Sequence, residues 1–244
     1  LRIKYGAQIP RDERILDCGE APMPEESEDS FAAHSGTFGQ SRREPKAFHI
    51  SGTNERDGFV NIVTGAIDVS QMAEKAREKG VSITEYLTAV LLLSGDAIQR
   101  RRVMRTKRYK PVKICVPINL RRFFPSRTLR NFANYVNPGI DSRLGMYTFD
   151  EVLSYVHHFM AMEVTPKLLN VKITTNVHTQ QNLLLRVMPL FIKNVAMKLV
   201  YSQVGDAVST TCFSNLGIAE IPEEMARYVK RMDFLLGPLA SNPV

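Results

Sequence analysis

The sequence is poor in cysteine and has no cluster of it. Cys18, Cys115 and Cys212 lie far apart in 244 residues, with no CxxC pair. That excludes a disulfide framework and a zinc-ligand set, and it fits a reducing, cytoplasmic setting. No run of about 18 apolar residues occurs, so no membrane span is expected. The nearest stretch, Leu183 to Val200, is interrupted by Arg186, Lys193 and Lys198 and reads as a buried amphipathic helix. No apolar leader follows the opening Leu1-Arg2-Ile3-Lys4. That opening and the ending Leu239 to Val244 both read as those of a piece of something longer. Glycine, proline and charge sit near average, which excludes collagen-like, coiled-coil and wholly disordered chains. Familiar catalytic signatures are also missing: the sequence has no GxSxG elbow, HExxH, Walker A or GxGxxG.

What is present is an ordinary globular composition, 44% hydrophobic and 23% charged, in a chain long enough for one large domain or two small ones. Thirty-two basic residues stand against 25 acidic ones, for a formal net charge of +7. The excess is concentrated. Arg100, Arg101, Arg102, Arg105, Lys107, Arg108, Lys110 and Lys113 crowd one stretch with no acid among them. Such a run attracts phosphate groups. It is equally what a solvated helix C-terminus looks like, because the macrodipole favours cations there. A nucleic-acid reading is not favoured, since Tyr109 is the only interleaved aromatic.

Residues 1–57 carry Pro10, Pro22, Pro24 and Pro45, an acidic patch and a Gly/Ser stretch. They read as an irregular segment crossing over another part of the protein. Alternation predicts a strand over 59–67. Helices are expected from Ser70 to Lys79 and from the capping box Ser82-x-x-Glu85 onward. The segment from Pro111 to Leu120 reads as a strand that Pro117 pushes toward an edge or bulge. Residues 121–147 read as one long loop. Thr148-x-x-Glu151 is a second capping box, Thr165-Pro166 starts another helix, and a further one is expected over 183–204, kinked at Pro189. Short strands over 208–213 and 231–236 close the pattern. Strands and helices are mixed without βαβ alternation, so the expected class is α+β, with helices covering one face of a mixed sheet.

Two segments have donor-rich strand ends. One is Val116-Pro117-Ile118-Asn119-Leu120-Arg121, which empties into a loop holding Arg122, Arg127, Arg130 and Asn131. The other is Ser214-Asn215-Leu216-Gly217. Hydroxyl and amide donors at strand ends can converge on a substrate or hold an oxyanion. A satisfied turn accounts equally well for either segment taken alone. His157 and His158, adjacent on a helix and about 100° apart, read as surface or packing residues, and Cys212 reads as a buried structural thiol.

The order of EDSF, ITEYLTAVLL, VPINLRRFFPSRTLRNFANYVNPGID, a pair of long helices and FSNLG resembles the bacterial alcohol acetyltransferase-like family. That family belongs to the chloramphenicol acetyltransferase-like, CoA-dependent acyltransferases, which include condensation domains. The resemblance runs through essentially all of residues 1–244. It implies a two-lobed fold, each lobe a two-layer sandwich of sheet and helices, with a channel between the lobes. It implies transfer of an acyl group from acyl-CoA, a co-substrate rather than a bound cofactor, to the hydroxyl of a small-molecule alcohol. The family's general base is the His of HxxxD in its first lobe. Here the residues four positions after each His are Phe38, Thr53, Ala161, Met162 and Asn182, so the motif is absent. The chain is therefore read as a C-terminal lobe, residues 58–244 and trimmed at its end, preceded by a crossover segment, residues 1–57, with the base outside it. Alone it is expected to be inactive, because general-base catalysis is typically worth about 10²–10⁴-fold. The resemblance implies Ser214, Asn215 and Asn131 as channel-lining or oxyanion donors. It implies Arg121 as an ion-pair partner or a contact to CoA phosphates, and Arg101 and Arg105 as further phosphate contacts. An isolated lobe exposes an apolar face, so the piece is expected to dimerise or domain-swap. The alternative is a relative of the same fold that binds an acyl carrier or a partner without chemistry.

Overall fold

The computed structural model describes residues 19–40, 44–52, 61–182, 187–201, 205–218, 221 and 223–234. Its centre is an eight-residue strand, β1 (Val112–Asn119). Along one side run β2 (Ala133–Val136) and β3 (Gly139–Ile140), both antiparallel to it. The pairings Val116↔Val136 and Lys113↔Gly139 keep one register, so β2 and β3 are a single partner strand interrupted at Asn137–Pro138. Ile114 N–H donates to the Pro138 carbonyl at 3.0 Å. Pro138 has no N–H to return, so the ladder loses a bond there. The long loop expected over 121–147 thus contains strand at Ala133–Val136 and Gly139–Ile140: its proline and glycine conceal a strand instead of a turn.

On the other side of β1 lies β4 (Thr211–Cys212), parallel to it through Ile114↔Thr211 and Cys115↔Cys212. The sheet is therefore mixed. The backbone of Cys115 bonds toward β4, accepting from Phe213 N–H at 2.9 Å. Two residues on, Pro117 faces the same way without a donor, and the pairing ends. The proline marks an open edge on one side of an otherwise central strand.

Helices take the other layer. Helix α1 (Ser30–Ala33) is a single turn capped by Asp29. Asp68 caps α2 (Val69–Glu78), one residue ahead of the expected start. The Ser82/Glu85 capping box opens α3 (Ile83–Arg102), with Ser82 N–H donating to Glu85 Oε2 at 2.6 Å. Helices α2 and α3 meet at 86°. The Thr148/Glu151 box opens α4 (Phe149–Glu163), and Thr165 with Pro166 opens α5 (Pro166–Gln181). These local signals read correctly because a capping box satisfies its own orphan amides whatever the tertiary context.

Alternating β1 residues Val112, Ile114 and Val116 face Ala89 and Leu92 of α3 and Val152, Leu153 and Val156 of α4, with Phe48 completing the core. Gly95 lets the helix approach closely: a Cβ there would lie 2.6 Å from Val112 Cγ1. A second cluster joins Leu120, Phe132 and Phe31 to Leu169, Ile173 and Val177 of α5. The α+β class, with helices on one face of a small mixed sheet, agrees with expectation.

Three expectations are corrected. Residues 61–67 form no strand: the alternation has no apolar face to bury, and Ile62, Val63 and Ile67 are all exposed. Residues 59 and 60 lie outside the described residues. Residues 231–234 form no strand either, and 235–236 lie outside the described residues. Pro189 starts a helix instead of kinking one: α6 (Leu190–Val200) has Pro189 at its N-cap. Far from buried, α6 exposes Leu190, Phe191 and Val195, each more than 60% accessible. Residues 183–186 and 202–204 of that expected helix lie outside the described residues. A four-residue helix, α7 (Glu223–Ala226), follows. No single described helix is long and apolar enough to cross a membrane.

Candidate functional site

The basic run divides into residues the fold uses and residues it presents. Arg100 is used. Its Nε meets Asp96 Oδ2 at 2.8 Å, its Nη2 donates to the Ser142 carbonyl at 3.1 Å and to the Gly145 carbonyl, and its guanidinium lies 5.6 Å from the centre of the Tyr109 ring. Lys113 is used too, in an ion pair with Glu44 at 2.8 Å. Tyr109, the one interleaved aromatic, is buried and offers no stacking platform.

After Arg102 the chain leaves α3, makes a tight turn at Thr106–Arg108 and returns to β1. Fully buried Gln99 fixes this return. Its Nε2 donates to the Lys110 carbonyl and its Oε1 accepts from Lys110 N–H, both at 2.9 Å, while Nε2 also reaches Ser142 Oγ at 2.9 Å. The opposite wall is the 48–51 stretch, docked where Phe48 N–H donates to the Pro111 carbonyl at 2.8 Å and Arg102 donates to the Ser51 carbonyl. Between the walls is a cavity of about 670 Å³. Arg102, Arg105, Arg108, Lys110 and His49 line it, with no carboxylate among the described lining residues. Four cations over one cavity attract an anion with several phosphate oxygens, and guanidinium groups bind such oxygens in pairs. Of the two arginines expected as phosphate contacts, Arg105 lines the cavity, and Arg101, on the exposed side of α3, does not.

A smaller groove, about 280 Å³, sits at the other end of α3 between Ile83, Leu87, Phe213, Ser214, Asn215, Leu216 and Phe234. Ser214 and Asn215 line it as expected for a channel. The Asn215 amide is already engaged, donating to Thr84 Oγ1 at 3.1 Å and accepting from Gly217 N–H at 2.9 Å. Gly217 carries φ +75°, which is why this turn ends in glycine. The two cavities are roughly 25 Å apart along a helix rising about 1.5 Å per residue. Asn131 lies past the far end of β2, exposed, and lines neither. Arg121 serves the fold: its Nη2 donates to the Thr128 and Arg130 carbonyls at 2.7 and 2.8 Å, closing the loop between β1 and β2. That loop is also where the EDSF segment docks, through Ser30–Ser126 at 2.6 Å and Thr128 Oγ1 donating to the Glu28 carbonyl at 2.7 Å.

The histidines on α4 are occupied as surface groups, His157 with Glu85 Oε1 at 3.0 Å and His158 with the Ser154 carbonyl at 2.7 Å. His49 and Ser51 were not legible as site residues, because an irregular segment gives no periodicity from which to infer a facing wall.

The sheet face turned away from α3 and α4 is polar. Register places Lys113, Cys115 and Pro117 on it, with Asn137 opposite Cys115 on one side and Cys212 on the other. Asn137 donates to the Glu44 carboxylate at 3.2 Å, and its buried Oδ1 has no partner among the described residues. Cys115 and Cys212 are free and half-buried. The Cys115 thiol hydrogen-bonds the Cys212 sulfur, which holds Cys212 down to about 7 against the opposing effect of burial. The same hydrogen bond, then burial, pushes Cys115 far up. Cys212 is therefore not the inert buried thiol expected. Burial likewise raises Tyr135, opposite Pro117 on this face. No three-residue group of His, Cys, Asp and Glu suited to a metal occurs among the described residues.

No protein-family model, curated protein or solved structure matches this chain.

Proposed function

We propose that this chain is the C-terminal part of a CoA-dependent O-acyltransferase of the alcohol acetyltransferase-like type. In this reading it holds the anionic end of acyl-CoA, and a residue outside the chain removes the proton of the acceptor alcohol. The observation that carries the reading is the cavity at the end of α3, where Arg102, Arg105, Arg108 and Lys110 gather with no acid among the described lining residues. CoA brings a pyrophosphate and a ribose phosphate, a charge set that this lining complements. Arg105 and Arg108 act as phosphate contacts, and Gln99 positions the loop that carries them. Ser214 and Asn215 line the acceptor-side groove, with Ser214 Oγ the hydroxyl donor there.

A second reading is a relative that binds an acyl carrier or partner without chemistry. It is favoured by the engaged Asn215 amide and by the separation of the two grooves. Thiol release from acetyl-CoA in the presence of an alcohol separates the two. Measured on the chain extended upstream by about one lobe, roughly 150 residues, release is expected. Arg105→Glu should raise the KM for acetyl-CoA about tenfold with kcat nearly unchanged, while Arg101→Glu leaves both alone. CoA binding without thiol release would support the binding relative. An unchanged KM in Arg105→Glu would remove the cavity from the account.

A further inference from the structure

Cys115 and Cys212 are partners across two adjacent parallel strands, in direct register and on the same polar face. Neighbouring strands lie about 4.8 Å apart, and a disulfide needs Cα atoms about 4.4–6.8 Å apart with both Cβ atoms pointing the same way. Register and face set the two side chains next to each other at a spacing in the range a disulfide spans. From this juxtaposition we infer that Cys115 and Cys212 form a reversible dithiol–disulfide site, oxidised by a low-molecular-weight disulfide, which fastens β4 to β1.

The chemistry balances with glutathione disulfide as oxidant. The Cys212 thiolate attacks one sulfur of glutathione disulfide, forming a mixed disulfide and releasing one glutathione thiolate. Cys115 then loses its proton to solvent and attacks the Cys212 sulfur. The mixed disulfide breaks, the Cys115–Cys212 bond forms, and a second glutathione thiolate leaves. Two electrons pass from the dithiol to glutathione disulfide, and the departing thiolates take up protons from solvent. The first step suits Cys212, which is held down to about 7 and is therefore largely thiolate just above neutrality. The second step is eased by the first: once the Cys212 sulfur is bonded it no longer carries the charge that the Cys115 proton was held against. Among the described residues, Lys113 with its Glu44 partner, Asn137 and Tyr135 also stand on this face, with Tyr201 near Tyr135.

The bond would matter because β4 is short, so a covalent link adds to a ladder of only two residue pairs. Thr211–Cys212 is two residues long and is held through Thr210 N–H to the Lys113 carbonyl at 2.8 Å, Phe213 N–H to the Cys115 carbonyl at 2.9 Å, and Lys113 N–H to Thr210 Oγ1 at 3.1 Å. The next residues, Phe213 to Leu216, are a wall of the groove at the N-terminal end of α3. Oxidation adds a covalent tie to that wall; reduction leaves it to the strand pairing and to the packing of Phe213 on the core.

The experiment uses the 244-residue chain with Cys18→Ser, incubated in glutathione buffers of graded ratio, quenched in acid, alkylated and mapped by peptide mass spectrometry. The expected product is a Cys115–Cys212 linked peptide pair two hydrogens lighter, with a melting temperature higher than the reduced form by roughly 5–10 °C. Cys115→Ser is expected to stop at glutathione on Cys212. If that variant does not fold, alkylation in the Cys18→Ser chain at pH 7.5 gives a second readout, with Cys212 reacting at least tenfold faster than Cys115. The inference is overturned if glutathione stays on Cys212 while Cys115 is intact, if the bond forms only in denaturant, or if the two thiols alkylate at equal rates.

Discussion

Gln99 hydrogen-bonds both backbone groups of Lys110, donating to its carbonyl and accepting from its N–H, each at 2.9 Å. A side chain eleven residues back on α3 thus replaces the ladder partner that the chain lacks on its way into β1. It also sets where Arg105 and Arg108 stand.

Truncating this side chain should therefore cost twice. Gln99→Ala leaves two part-buried backbone groups and Ser142 Oγ short of a partner and opens a small void, for about 2–4 kcal/mol of stability. Urea unfolding measures that loss. In the same variant, phosphate-containing ligands should bind less well even below the unfolding transition, because the cationic loop is no longer held.

Gly95→Ala tests the contact between helix and sheet. The added methyl would sit 2.6 Å from Val112 Cγ1, in a core with no slack. A destabilisation of about 1–3 kcal/mol is expected, overriding alanine's higher helix propensity. A neutral result in thermal unfolding would mean that α3 rides higher on the sheet than described.

Helix α6 should make the protein associate. Leu190, Phe191 and Val195 are exposed on one short element, more apolar surface than a solitary helix face usually carries. Light scattering is expected to show mass rising with concentration, and Phe191→Asp to reduce that rise. A strict monomer at all concentrations would be the contrary finding.

The cysteine pair gives stability a pH dependence with a definite sign. Cys212 is held at about 7 in the fold, below the roughly 8.5 of an unfolded cysteine. A group depressed in this way contributes stability that is present above its unfolded value and is lost as pH falls through its folded one. Stability of the reduced protein should rise between pH 7 and 8.5. Above that range the raised Cys115 acts in the opposite sense, because the unfolded chain ionises it freely. Denaturant midpoints across this range should show the rise in the wild type and not in Cys212→Ala.

What the sequence made legible was local. Ser82/Glu85, Thr148/Glu151 and Thr165-Pro166 announce helices through bonds closed within four residues, and the structure has each one. The β1 alternation was equally clear. What escaped was whatever depends on a distant partner. Residues 61–64 alternate like a strand but pair with no described strand and leave Ile62 and Val63 exposed, whereas Gly139–Ile140 has a partner in β1 and becomes strand despite Pro138. The site followed the same rule. Arg105 was visible in the charge run, but Arg100 and Lys113 were indistinguishable from it until Asp96 and Glu44 proved to claim them. Arg121, read as a substrate or ion-pair residue, is taken by two carbonyls that no spacing rule reveals.

The central claim is that the cations around the 670 Å³ cavity hold the phosphates of CoA. Calorimetric titration of CoA and of dephospho-CoA into the wild-type chain and into an Arg105→Glu/Arg108→Glu variant, at one fixed salt concentration, tests it most directly. Saturable binding of CoA, weaker binding of dephospho-CoA and at least a tenfold loss in the double variant are predicted. Equal affinity of the wild type and the variant for CoA would contradict it.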